Sequence, residues 1–241
     1  MKKAGKCNYN DNRFIPNFEY QPVNNPDLIR VRKELNLDSI AGHASELSKI
    51  FNLLYWVHNL IRHDGSSENP VLKNAIDLIN ICKKENRGVN CWMLATILNE
   101  CYLSIEIKSR YIFCLPKETN FDDNHVINMV YSTELNKWIW VDPTFASYVM
   151  DENGNLLGIQ VVRERLVSGK PLVLNADANW NREIVQSKEE YLENYMAKNL
   201  YRLKAPVFYG YNVETTVKGK ELLYVELLPL DGRDTTNSSK S

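Results

Sequence analysis

One cysteine of this sequence stands where a helix is expected to begin. Residues 87–95 are Arg-Gly-Val-Asn-Cys-Trp-Met-Leu-Ala, and Asn90 is a favourable N-cap because its side-chain oxygen can accept from the first turn. Apolar residues then recur along one helical face, at Leu94, Ile97, Leu98, Cys101 and Tyr102. A thiol directly after the cap lies at the positive end of the helix dipole, which lowers its pKa and favours the reactive thiolate. We therefore predict that Cys91 is a nucleophile and that its backbone N–H is an oxyanion donor.

A hairpin is predicted downstream of this helix. Residues 125–131 and 136–141 have the β-branched and aromatic composition of strands, and residues 132–135 form the intervening loop. A four-residue loop of this kind pairs Tyr131 with Asn136, and that pairing sets the register of every residue in the two strands.

In this register His125 lies opposite Asp142 at the open end of the hairpin. Directly opposed side chains of antiparallel strands point to the same face, with Cβ atoms about 5 Å apart. The carboxylate would then hold one imidazole tautomer and stabilise the imidazolium. A slip of one residue would separate the two side chains onto opposite faces. The same register pairs two further residues with tryptophans on this face, Met129 with Trp138 and Ile127 with Trp140.

Cys91, His125 and Asp142 are together the components of a thiol triad, in which an imidazole activates the thiol and a carboxylate orients the imidazole. In isolation, His125 would be interpreted as a polar strand end and Asp142-Pro143 as a strand terminator. The other cysteines of apolar segments, Cys82, Cys101 and Cys114, are interpreted as core residues.

The sequence resembles the transglutaminase-like superfamily, whose members are related to papain-type cysteine enzymes. The matching segments are residues 87–95, His125-Val126, and the run Trp138-Ile139-Trp140-Val141-Asp142-Pro143. The resemblance implies that Cys91 is the nucleophile, His125 the base and Asp142 the residue that orients it. It implies an α+β fold with a transglutaminase-like or papain-like core, in which N-terminal helices, including the cysteine helix, pack on an antiparallel sheet.

The remaining site candidates are less well defined. Asn90 and Trp56 are candidate side-chain oxyanion donors, Trp92 is a cleft candidate, and Trp140 is expected to form a hydrophobic wall beside the His125–Asp142 pair. No metal or other cofactor is expected. His58 and His63 are five residues apart on a predicted helix and do not share a face. The segments Asp122-Asp123 and Asp151-Glu152-Asn153 are interpreted as loop and turn residues.

The composition sets limits on the class of protein. The chain has 241 residues, 44% of them hydrophobic, and a formal net charge of −1. We expect a sizeable core, no nucleic-acid surface and no membrane span. The five cysteines show no disulfide spacing and are expected to be reduced. No signal peptide is visible, which predicts a cytoplasmic protein, or an exported one if a leader has been removed.

Four segments are expected: an extended arm over residues 1–27, a catalytic core over 28–150, a continuation of helix and strands over 151–230, and a disordered tail over 231–241. Helices are predicted near 27–35, 45–63, 71–84, 91–103 and 187–203. Strands are predicted at 104–115, 207–213 and 221–228, in addition to the hairpin.

The predicted reaction is attack on a peptide or glutamine-type amide, which forms a thioester on Cys91. Hydrolysis of that thioester is favoured over transfer to a lysine amine, which would cross-link proteins. A non-catalytic binding module on the same scaffold is the third possibility. The expected partner is a protein or peptide substrate, and the sequence does not define an oligomeric state.

Overall fold

The computed structural model describes residues 14, 16–118, 123–217, 219 and 221–227. The predicted tail over residues 231–241 lies outside this part of the chain, as do residues 1–13 and 15 of the predicted arm.

The helices within the described residues are α1 (Pro26–Glu34), α2 (Leu37–Ala41), α3 (Glu46–Leu60), α4 (Ala75–Glu85), α5 (Cys91–Ser104), α6 (Ile159–Ser168), a π-helical segment (Glu189–Met196) and a 3-10 turn (Ala197–Asn199). The strands are β1 (Glu19–Tyr20), β2 (Ser109–Leu115), β3 (His125–Ser132), β4 (Lys137–Val141), β5 (Val149–Met150), β6 (Val173–Leu174), β7 (Asn179–Trp180), β8 (Ile184–Val185), β9 (Arg202–Pro206), β10 (Phe208–Tyr209) and β11 (Tyr224–Glu226).

A five-stranded antiparallel sheet, in the order β11-β9-β2-β3-β4, is the centre of the fold. Helix α5 packs on one face of this sheet, where the amide of Asn128 on β3 donates to the carbonyl of Ala95 at 3.0 Å. The predicted α+β class, with the cysteine helix packed on an antiparallel sheet, is confirmed.

The two faces of the sheet bury separate clusters of apolar residues. The first cluster joins α3, α4 and α5 to sheet residues that include Val130 and Ile139. The second places Ile127 and Trp140 against Tyr191 and Leu192 of the π-helical segment. The cysteine helix therefore lies on one side of the sheet and the π-helical segment on the other, and both contribute to the site described below.

The helices predicted over 45–63, 71–84 and 187–203 begin or end at different residues in the structure. Helix α3 begins at Glu46, after an N-cap at Ser45, but ends at Leu60 and not at His63, because residues 62–64 leave the helix and pair with Val89. Helix α4 begins only at Ala75, where the side chain of Asn74 accepts from the N–H of Asp77.

The helix predicted over 187–203 begins with a Ser187–Glu190 capping box, since each side chain accepts from the other residue's backbone N–H. It ends at Asn199, because Arg202–Pro206 pairs with β2 and extends the sheet as β9. The predicted strand at 104–115 begins only at Ser109, and the strands at 207–213 and 221–228 are shorter than predicted. Helix α6 was not predicted.

The predicted register of the hairpin is wrong by two residues. Met129 pairs with Trp140 and Tyr131 pairs with Trp138, so the loop is formed by residues 133–136. A shift of two residues preserves the face to which each side chain points, because side chains in a strand alternate with a period of two. His125 and Asp142 therefore remain on one face, as diagonal rather than directly opposed neighbours.

Among the helices of the described chain, none is both long and apolar enough to cross a membrane.

Candidate active site

Cys91 is the first residue of α5, and the predicted Asn90 cap is present. The side-chain oxygen of Asn90 accepts from the N–H of Met93 at 3.1 Å, and the cap has extended backbone dihedrals. The half-buried thiol therefore lies against the free N–H groups of the first turn, where negative charge is favoured.

Two imidazoles contact this thiol. Burial alone would raise the pKa of Cys91, but hydrogen bonds with His125 and His63 lower it to about 6. For the three cysteines interpreted as core residues, Cys82, Cys101 and Cys114, burial raises the pKa. Cys91 is therefore the one thiol among these four that is substantially ionised at neutral pH.

His125 and Asp142 are in contact and fully buried. Nε2 of His125 lies 2.7 Å from Oδ2 of Asp142. Burial alone would lower the pKa of His125, but the charge of Asp142 raises it well above its usual value. Burial would in turn raise the pKa of Asp142, and the charge and hydrogen bond of His125 hold it below its usual range. The pair is therefore an imidazolium and a carboxylate.

Two further donors hold the carboxylate in place. The hydroxyl of Tyr191 donates to Oδ2 of Asp142 at 2.6 Å, and the backbone N–H of Thr144 donates to Oδ1 at 2.8 Å. The indole N–H of Trp140 donates to the Tyr191 oxygen at 3.1 Å. Trp140 is thus buried behind the carboxylate, on the face predicted for it, and it is connected to Asp142 through Tyr191.

An open cleft of about 570 Å³ contains Cys91. Its lining includes His63, Asn69, Asn90, Trp92, Phe113, Leu115, Asp123, Asn124, Tyr195 and Lys204. Trp92 therefore lines the cleft, with its ring edge-on to Phe113 at a centroid distance of 5.6 Å.

The two predicted oxyanion-donor candidates occupy different positions. The amide nitrogen of Asn90 donates to Asn69 at 2.8 Å, so both ends of this side chain are engaged in local structure. Trp56 packs against the core cluster of the helices and is not among the described residues that line the cleft.

His63 is a residue of the site that sequence reasoning missed. It lies beyond the end of α3, in a backbone segment that pairs with Val89, two residues before Cys91. The N–H of Asp64 donates to the Val89 carbonyl at 2.8 Å, and the N–H of Val89 donates to the Arg62 carbonyl at 3.1 Å.

Gly88 makes this pairing possible. A Cβ atom at position 88 would lie 2.5 Å from the Arg62 carbonyl oxygen and 2.9 Å from Cβ of Asp64. The glycine that precedes Val-Asn-Cys in the sequence is therefore the feature that could have indicated a close backbone neighbour.

Residues after position 150 complete the surroundings of the thiol. The indole N–H of Trp180 donates to Nδ1 of His63 at 3.1 Å. The hydroxyl of Tyr195 lies 3.2 Å from Nδ1 of His125, and the two rings meet edge-on at a centroid distance of 5.3 Å. These contacts were not predicted, because the C-terminal portion carries no recognisable motif.

Residues 33–143 match the sequence model of the transglutaminase-like superfamily, so the resemblance predicted from the sequence is confirmed over that segment. No curated protein matches the sequence. The similar solved structures include "a Putative Cysteine Protease from Cytophaga hutchinsonii", with 20% identity and a TM-score of 0.39. That match covers 58% of this chain and 49% of the other, so the chain spans about half the length of this relative.

Proposed function

We propose that the protein is a cysteine-dependent enzyme that processes amides, with Cys91 as nucleophile, His125 as acid and base, and Asp142 as the residue that orients His125. One observation carries this proposal. A thiol of lowered pKa at a helix N-terminus contacts an imidazole whose other nitrogen is held by a buried carboxylate. This is the arrangement that nucleophilic catalysis by a thiol requires.

In the proposed first step, the Cys91 thiolate attacks the carbonyl carbon of a peptide bond or a glutamine carboxamide. The carbonyl π electrons move to oxygen, and the backbone N–H at the start of α5 stabilises the oxyanion. Collapse of this intermediate breaks the C–N bond, and the imidazolium of His125 gives its proton to the departing nitrogen. The products are an amine or ammonia and a thioester on Cys91.

In the second step, His125 removes a proton from a water molecule, whose oxygen attacks the thioester. The carboxylic acid is released and the thiolate is restored. Hydrolysis is supported by the position of Cys91 on the wall of an open cleft with polar lining residues, among them Asn69, Asn124 and Lys204, because water reaches the thioester there. Transfer to a lysine amine would use the same triad and differs only in the acceptor.

We propose a protein or peptide as the substrate. The described lining of the cleft includes the apolar residues Trp92, Phe113 and Leu115. It also includes two residues of opposite charge, Asp123 and Lys204. Such a mixed lining can accept both the side chains and the backbone of a peptide.

The division of the chain is likewise a proposal: residues 28–150 as the catalytic core and 151–230 as its continuation. It is supported by the hydrogen bond from Tyr191 to Asp142 and by the pairing of β9 with β2.

The test is mass spectrometry of glutamine-containing peptides incubated with the protein, with and without a primary amine. Peptide cleavage, deamidation and amine incorporation give different mass changes. We expect hydrolysis products that are absent with Cys91→Ala and unchanged with Cys82→Ala, a matched substitution of a buried cysteine in α4. Amine incorporation would establish transamidation instead. Unchanged turnover by Cys91→Ala would refute the proposed chemistry, and an unreactive thiol in the wild-type protein would favour a binding module.

A further inference from the structure

His63 is the second imidazole on the Cys91 thiol, and its environment differs from that of His125. His125 is paired with a carboxylate, whereas the partner of His63 on the side away from the thiol is the indole of Trp180. The two rings therefore flank one sulfur with different neighbours behind them.

The indole partner determines where His63 carries its proton. An indole nitrogen only donates, so the His63 nitrogen that it contacts, Nδ1, must present its lone pair. The proton of the neutral ring is then on Nε2. Because Nδ1 is occupied by Trp180, Nε2–H is the ring donor that remains for the cleft that His63 and Cys91 line together.

We propose that His63 is a further catalytic residue, a neutral imidazole whose Nε2–H donates to the Cys91 sulfur at rest and to the substrate oxyanion during attack, and that Trp180 is the positioning residue that fixes this tautomer. The inference rests on the proposed function, because it assigns a role in the same acyl-transfer step.

The geometry favours an oxyanion role over a second base. In the tetrahedral intermediate the oxyanion is two bonds from Sγ, so a donor that already contacts Sγ is close to the position where negative charge develops. A base would need a free lone pair on the ring nitrogen that faces the thiol. In His63 that nitrogen carries the proton. In His125 the nitrogen that is not bound to Asp142 gains a lone pair once the imidazolium has given its proton to the leaving group.

The backbone of His63, the proposed donor residue, is held in place by Asn181. The side chain of Asn181 accepts from the N–H of His63 at 2.7 Å and donates to the His63 carbonyl at 3.0 Å, so it holds this residue at two points. Asn181 and Arg182 form the turn between β7 and β8 in left-handed conformations, with φ of 54° and 63°. Trp180 directly precedes that turn, so the residue that holds the backbone and the residue that orients the ring are adjacent.

Oxyanion stabilisation by His63 can be distinguished from an effect of His63 on thiol ionisation by comparing two reactions of Cys91. Acylation by p-nitrophenyl acetate passes through an oxyanion, whereas alkylation by iodoacetamide displaces iodide at a saturated carbon and forms none. Both reactions consume the same thiolate. The rate constant of acylation divided by that of alkylation is therefore independent of the thiolate fraction and reports the stabilisation of the oxyanion.

For His63→Ala we expect this ratio to fall by about 10²–10³-fold, the usual effect of losing one oxyanion donor. His63→Gln, which restores a side-chain N–H, should recover at least part of the loss. Trp180→Phe should lower the ratio by less, because the ring remains but its tautomer is no longer fixed. His43→Ala, a substitution of an exposed histidine away from the cleft, is the matched control and should leave the ratio unchanged.

Nitrogen-15 NMR of the imidazole rings gives a readout that does not depend on activity. In the wild-type protein, Nδ1 of His63 should show the shift of an unprotonated nitrogen and Nε2 that of a protonated one, and Trp180→Phe should remove this preference.

An unchanged ratio in His63→Ala, or a protonated Nδ1 in the wild-type protein, would overturn the inference even if Cys91→Ala is inactive. The proposed function itself fails only if Cys91→Ala retains turnover or the wild-type thiol is unreactive, so the two failures can be distinguished.

Discussion

The hydroxyl of Tyr191 donates to Oδ2 of Asp142 at 2.6 Å, the same oxygen that lies 2.7 Å from Nε2 of His125. Tyr191 comes from the π-helical segment on the far side of the sheet from α5, well beyond the segment that matches the superfamily. The orientation of the proposed triad therefore depends on a side chain that the triad motif does not contain.

Tyr191→Phe should lower both the stability of the protein and its catalytic rate. The substitution removes a hydrogen bond to a buried carboxylate and leaves the Trp140 indole N–H without its acceptor. The expected cost is about 1–3 kcal/mol in the free energy of unfolding, with a fall in kcat. Urea denaturation and steady-state kinetics measure the two effects. Tyr131→Phe, which loses a hydrogen bond to Asn136 in the hairpin turn, is the matched control. Equal stability of the two variants would contradict the role assigned to Tyr191.

The reactivity of Cys91 should depend on pH with a midpoint near 6. The thiolate fraction rises as the pH rises through the lowered pKa, so the iodoacetamide rate should increase from pH 5 and level off above pH 7. An ordinary cysteine ionises near 8.5. The lowered pKa also contributes stability that is complete above the pKa of the unfolded thiol and is lost as the pH falls toward 6.

Labelling at pH 6.5 followed by peptide mapping checks this prediction. Modification should be confined to Cys91 among Cys82, Cys91, Cys101 and Cys114, since burial raises the pKa of the other three. Equal, slow labelling of several of these thiols at that pH would show that Cys91 is not activated.

His125→Ala should move the labelling midpoint of Cys91 upward, because the hydrogen bond and the charge that stabilise the thiolate are lost. Turnover should fall by about 10²–10⁴-fold, the usual contribution of a positioned acid and base. Asp142→Asn should have a smaller effect on the midpoint, since the His125 ring remains to hydrogen-bond with the thiolate. A midpoint that stays near 6 in His125→Ala would show that the thiol is ionised by other groups.

Gly88→Ala should destabilise the protein by about 1–3 kcal/mol, as expected for an added methyl group where the backbone is closely packed. Its Cβ would lie 2.5 Å from the Arg62 carbonyl oxygen, so the segment that carries His63 must move away from the cysteine loop. Gly65→Ala is the matched control for unfolding by urea, because its Cβ would meet the His63 ring at an ordinary 3.5 Å. Equal stability of both variants would contradict the requirement for glycine at position 88.

Local chemistry explains why part of the site could be predicted from the sequence. The Asn90 cap and the start of α5 at Cys91 follow from a few adjacent residues. The contact between His125 and Asp142 follows from the alternation of side chains in a hairpin, and it tolerated a register that was wrong by two residues because only an odd shift changes the face.

The rest of the candidate site depends on contacts between segments that are distant in the sequence, which is why it could not be predicted. Ile61 continues the apolar helical pattern of α3. The backbone of residues 62–64 nevertheless forms hydrogen bonds with Val89, and this pairing takes His63 out of the helix and toward the thiol. Trp180, Tyr191 and Tyr195 reach the site through the packing of the C-terminal elements on the sheet. No spacing within a single element indicates that these side chains face His63, Asp142 and His125.

The partners of Asp142 also determine where protons can go. Tyr191, Thr144 and His125 all donate to this carboxylate, and behind Tyr191 stands the Trp140 indole, which has no lone pair to accept a proton. Trp140 therefore cannot accept a proton from Tyr191. In the proposed cycle His125 exchanges protons through the nitrogen that is not bound to Asp142, so the substrate and water in the cleft are the source and the destination of the protons that His125 transfers.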